Sequence, residues 1–204
     1  MINALVSILI KRRPALRKKD PRTQRRIVEA AYYLFYRKGF TRVSMDEIAA
    51  RAGITKRTLY AHYRSKDDLL AAAFEHFTEV DAERLRVIAN RLPAKPAAIL
   101  DAFFRQIADW AKTPRWSGSG FTRVVLELAD LPGHPARAVA RRAKAVTEEW
   151  MMNLLTNGKV RSPRDRGQEV MLLMEGAMVL MLIHGDHGYA QVAARAAKQL
   201  IKQK

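Results

Sequence analysis

At 204 residues, 49% of them apolar, the chain is long enough to bury one large core or two small ones. Ten glycines and eight prolines are too few for a fibrous or disordered chain, and the absence of cysteine excludes a disulfide framework and a thiolate metal site. The formal charge of +17 is concentrated: residues 1–70 hold 17 of the 37 basic side chains but only 6 of the 20 acidic ones, which points to a polyanionic partner, most simply nucleic acid.

A solvated cationic face would carry the same charge, so the motifs have to decide. The opening "MINALVSILI" is too short to span a bilayer, and its basic residues follow the apolar run, so it reads as a poor secretory signal. No other segment has about 18 uncharged residues in a row, so no membrane partner is expected. Lys11, Arg12, Arg13, Arg17, Lys18 and Lys19 make residues 1–20 a basic arm, flexible or laid along DNA.

From residue 21 the pattern becomes helical. Ile27, Ala30, Ala31, Leu34 and Phe35 form the stripe of an amphipathic helix, with Thr23 expected to cap its start and Gly39 its end. "SMDE" at 44–47 reads as a capping box, with the Ser44 hydroxyl on one orphan N–H and Glu47 reaching back to another. It opens a short helix that buries Ile48, Ala49 and Ala52 and ends at Gly53, where a left-handed residue costs glycine almost nothing. Thr55 caps a third helix over 56–63. Two short helices joined by a glycine turn make a helix-turn-helix.

The third helix has two sides. Leu59 and Tyr63 fall together and face the core, whereas Arg57, Thr58, Tyr60 and Ala61 point elsewhere. Lys56 stands at the positive N-terminal end, where it can meet phosphate or a base edge, and His62 can donate to phosphate from the flank. Ser65 caps a fourth helix whose first turn begins with Lys66, a second place for a phosphate.

"AAYYLFYRKGFTRVSMDEIAARAG" followed by "GITKRTLYAHYRSKDDLL" resembles the TetR family of bacterial transcriptional regulators over residues 22–75. The resemblance implies an all-α homodimer with a three-helix DNA-binding head, here 21–67, and a larger helical effector-binding and dimerisation domain, here 68–204. It implies a repressor, located in the cytoplasm on the nucleoid, that a small molecule releases from a palindromic operator. It also implies contacts to DNA, mostly to the backbone, from Thr58, Tyr60, His62 and Lys66. Ser44 and Met45 fall at the start of the helix that crosses the backbone; a hydroxyl residue is usual at the Met45 position. Lys56 and Arg57 occupy the variable, base-reading positions beside the cap Thr55, and an Arg57–guanine pair would be worth about 1–3 kcal/mol of discrimination.

Beyond the head, helices are expected over 68–92, 96–112, 121–129, from Pro135 to about 157, over 168–183 and over 191–202, with a Pro/Gly/Ser-rich loop at 113–120. Phe103, Trp110, Phe121, Val125, Leu128, Trp150, Met151, Leu154, Met174 and Met178 are the candidate lining of a cavity for a partly apolar effector, methionine suiting an adaptable pocket. Gly176, Ala177 and the run Ala190, Ala193, Ala194 and Ala197 are expected to let the last two helices approach a partner's in a four-helix bundle. No cofactor, metal site or catalytic centre is expected. "HGDH" at 184–187 lacks a third ligand nearby, and Glu148 and Glu149 point different ways on a helix. The competing reading is an architectural, non-specific DNA binder without an effector.

Overall fold

The computed structural model describes residues 20–91, 95–114 and 116–202. The arm at 1–20, Asp20 excepted, and the first half of the "PAKP" link therefore lie outside the described residues. Those described form nine helices and no strand. The head comprises α1 (Pro21–Lys38), α2 (Met45–Ala52) and α3 (Lys56–His62), and α4 (Lys66–Arg91) runs from it into the body. The body adds α5 (Pro96–Ala111), α6 (Gly120–Glu127), α7 (Pro135–Asn157), α8 (Pro163–His184) and α9 (Gly188–Leu200). The all-α architecture expected from the helical periodicities is the one observed.

Local chemistry sets the helix ends. Asp20, not Thr23, caps α1: its carboxylate accepts from the N–H groups of Arg22 at 3.1 Å and Thr23 at 3.2 Å. Thr23 instead donates its hydroxyl to Asp20 at 2.7 Å. A carboxylate one residue before Pro21 can reach the first free N–H groups, and proline at the first helical position has none to satisfy. Ser44 caps α2 through the Glu47 N–H at 3.1 Å, but the reciprocal half of the box is absent, because the Glu47 carboxylate pairs with Lys38 at the end of α1. Ser65 caps α4 through the Asp68 N–H at 3.0 Å.

Two cores hold the molecule. The first joins Ile27, Phe35, Ile48, Leu59 and Phe74 of the head and α4 to Phe121 and Val124 of α6 and Val139 of α7. The second lies between α5, the C-terminal half of α7, α8 and α9, around Leu100, Phe104, Met151 and Leu155. The expected boundary at 67/68 thus falls in the first turn of a continuous helix, and the head's core extends into the body.

The small residues assigned to a partner contact are used within the protomer. Ala177, Ala190, Ala193, Ala194 and Ala197 are buried in the second core, where alanine lets α9 lie close on α5 and α8. Among those residues only Gly176 faces open space. By length and composition α8 could cross a membrane, but a third of that apolar stretch is buried inside this fold and its Glu175 is ion-paired to Lys144 of α7.

Candidate functional site

Alpha3 has seven residues, too short to be stable alone. Leu59, fully buried, is its one core anchor, and Tyr63 follows it inwards. Thr55 fixes its start by accepting from the Thr58 N–H at 3.1 Å. The turn before it is set by Gly53 at φ 62°, ψ 43°. The Gly53 N–H donates to the Ala50 carbonyl at 3.1 Å and the Ile54 N–H to Ala49 at 3.0 Å, the paired bonds of a Schellman motif. Arg26 of α1 reaches over the turn and donates to the carbonyls of Ala52 at 2.5 Å and Gly53 at 3.2 Å. A Cβ on Gly53 would sit 2.9 Å from that guanidinium, so the glycine serves both the backbone and the clamp. The arginine clamp leaves no spacing signal in sequence, since its partners lie 26 and 27 residues away.

With α3 so fixed, Thr55, Lys56, Arg57, Tyr60 and Ala61 are exposed along one side, Tyr60 by 45%, and Thr58 and His62 are half-buried at its edges. Ser44 is exposed at the start of α2. Lys56 donates to the Asp46 carboxylate of α2 at 2.9 Å, and that bond raises its pKa above the ordinary lysine value. An incoming phosphate would have to compete with Asp46 for this ammonium.

Two expected contacts are corrected. Met45 is buried in the head's core, because a thioether chain at this position gains more from apolar burial than from solvent, so it presents no side chain to DNA. Lys66 turns inwards: its ammonium donates to the carbonyls of Phe40 and Val43, both at 3.1 Å, and lies 4.3 Å from the centre of the Phe40 ring. Those carbonyls are in the loop between α1 and α2, so Lys66 braces that loop.

Behind the head, between α4, α5, α6, α7 and α8, lies a cavity of about 460 Å³. Of the ten candidates, Phe103, Trp110, Phe121, Met174 and Met178 line it. The other five candidates do not. Leu128 and Met151 are fully buried core, Trp150 and Leu154 pack on the second core, and Val125 faces a separate hollow of about 420 Å³ between α6 and α7. Helical periodicity places a residue on an inner face but does not separate cavity wall from solid core. Phe77 and Thr78 of α4, and Gln106, Lys144 and Thr147, are lining residues that were missed.

Residues 27–73 match the family model of bacterial regulatory proteins of the tetR family. The transcriptional regulator MftR of Mycobacterium tuberculosis is 32% identical over 143 residues, which are 63% of this chain and 70% of that one. The chain belongs to the TetR family. It is also similar to the transcriptional regulator YerO of Bacillus subtilis, 35% identical over 71 residues, but that match spans 35% of this chain and only 25% of YerO. A crystal structure of a TetR regulator from Legionella pneumophila, 20% identical, superposes with a TM-score of 0.78 over 91% of this chain and 100% of the other, which establishes a shared fold.

In this TetR-family chain, α6 ties the cavity to the head. Glu127, at its end, accepts from the Thr41 N–H and hydroxyl, each at 3.1 Å, and a Cβ on Gly39 would overlap its carboxylate. Arg123 donates to the carbonyls of Tyr36 at 3.2 Å and Arg37 at 3.4 Å, capping the end of α1. Ser117, before α6, donates its N–H to the Tyr36 hydroxyl at 3.1 Å and its own hydroxyl to the Tyr36 carbonyl at 2.8 Å. Burial at this seam pushes the Tyr36 phenol above its ordinary pKa. Phe77, in the cavity wall, stacks on Tyr32 of α1 with ring centres 4.2 Å apart.

Proposed function

We propose that the protein is a repressor that binds a palindromic operator as a homodimer, in the cytoplasm, and lets go when a small molecule enters the cavity behind the head. The observation that carries this reading is that the same short helix, α6, forms part of the cavity wall and holds the loop and helix end that support the reading head. Alpha3 would lie in the major groove with Arg57 and Lys56 on base edges, and Ser44, Thr55, Thr58, Tyr60 and His62 on or near the backbone.

A dimer is supported by α8. Leu172, Gly176, Val179, Leu180 and Ile183 are all exposed and follow the helical i, i+4, i+7, i+8, i+11 pattern, so they make one apolar stripe on the outside of the protomer. An apolar stripe of this kind marks an interaction surface. A two-fold axis there would set the two α3 helices on successive grooves, about 34 Å apart or a multiple of it. An occupant that favours a dimer with its heads spaced wrongly would weaken DNA binding by as much as it prefers that state.

Selection of bound duplexes from a random pool tests the proposal. Enrichment of one inverted repeat supports it. A pool recovered without enrichment would leave the architectural, non-specific reading in its place.

A further inference from the structure

We infer that the effector is an aromatic molecule carrying an anionic oxygen, and that Lys144 is the residue that selects it; this rests on the cavity being the effector site. The cavity's walls supply flat apolar contact from Phe77, Phe103, Trp110 and Phe121, and Met178 adds adaptable packing. Its volume of about 460 Å³ lies in the range of pockets that enclose small organic ligands.

The charges around it are unequal in what they offer an occupant. The Asp109 carboxylate lies 3.0 Å from Lys112, and both side chains are exposed, which places that pair at the rim. Glu175 has both oxygens engaged: one pairs with Lys144, and the other accepts from the Thr122 hydroxyl at 2.7 Å. Lys144 lines the cavity and uses two of its three donors, on Glu175 and on the Ser119 hydroxyl at 3.3 Å. The remaining ammonium N–H suits a carboxylate or phenolate oxygen, because a charge-assisted hydrogen bond in a partly desolvated site is stronger than a neutral one. An organic cation would meet carboxylates that already hold cations.

The same ammonium is linked to the head. Ser119 caps α6 by accepting from the Thr122 N–H at 3.4 Å, so an oxygen that draws Lys144 into the cavity changes the hold on the first turn of α6. The last residue of that helix is Glu127, which holds Thr41 of the head.

The test uses 2-naphthoate, 2-naphthamide and 2-naphthylmethylammonium as probes on the full chain, read by quenching of tryptophan fluorescence (Trp110 lines the cavity) and by thermal shift. The expected result is tightest binding of naphthoate, reduced about tenfold or more by Lys144→Met with the amide unaffected. The double variant Lys144→Met/Glu175→Gln, which strands no carboxylate, should show the same selective loss if the single variant folds poorly. Thr147→Trp, which fills the cavity, should abolish binding of every probe. If the ammonium probe binds as tightly as naphthoate, or if Lys144→Met leaves naphthoate affinity unchanged, the assignment of ligand class is overturned while the cavity reading stands. If no probe binds, or if Thr147→Trp changes nothing, the cavity reading falls with it.

Discussion

Arg57 and Leu59 are two residues apart and have opposite surroundings, one exposed and one fully buried, so a seven-residue helix presents one side to solvent and anchors the other in the core. This predicts separable phenotypes. Leu59→Ala should cost about 2–5 kcal/mol in denaturant unfolding, the range for emptying a well-packed site, and should lose DNA binding through misfolding. Tyr60→Ala should leave stability within about 0.5 kcal/mol, as at other exposed positions, yet weaken operator binding in a folded protein. Gly53→Ala combines a left-handed backbone with a Cβ close to the Arg26 guanidinium, so it should destabilise by at least about 1 kcal/mol. Sequence was informative at these three positions because each has a strong local cause: helical periodicity for Leu59, a turn for Gly53, the outer face for Tyr60. It was uninformative for Met45 and Lys66, whose surroundings are built by other segments. Nothing local tells a lysine that two loop carbonyls 23 and 26 residues back will hold its ammonium.

Helices and most of their caps followed from pattern; the contacts between helices did not. The stripe from Ile27 to Phe35 located α1, but its cap is Asp20, because the helix begins at Pro21 and Thr23 lies inside its first turn. Alpha6 was legible as a helix and illegible as a clamp, since Glu127 and Thr41 are separated by 86 residues. Two predictions belong to these elements. Asp46→Asn removes the competitor for Lys56, so DNA affinity should rise and the dependence of log affinity on log salt should steepen by about one unit in a titration at several salt concentrations. Three carboxyls at element ends and seams have pKa values below their ordinary ones: Asp20 through the Thr23 hydroxyl, Glu47 through Lys38 and Asp101 through Lys198, each chiefly by a hydrogen bond. A lowered folded pKa stabilises above the unfolded value and is lost as pH falls through the folded one. Thermal melts should therefore hold steady from neutrality and fall as the pH drops below about 4.

At the scale of the molecule, the head is not a bead on a string. Its core includes Phe121, Val124 and Val139 of the body, so the cavity wall and the head share packed side chains as well as the bonds of Glu127 and Arg123. The outer stripe of α8 should complete the functional unit. Val179→Asp should give a folded monomer in sedimentation experiments and lower operator affinity by removing the second reading helix. The proposed repressor depends on α3 reading one sequence in duplex DNA while its twin reads the same sequence in reverse. The most direct measurement is the affinity of the protein, and of Arg57→Ala, for a selected inverted repeat and for a scrambled duplex at one fixed salt concentration. The predicted result is a preference of about 10³-fold or more for the repeat, reduced in Arg57→Ala mainly by tolerance of substitution at one position in each half-site. Equal affinity for the two duplexes, unchanged by Arg57→Ala, would contradict it.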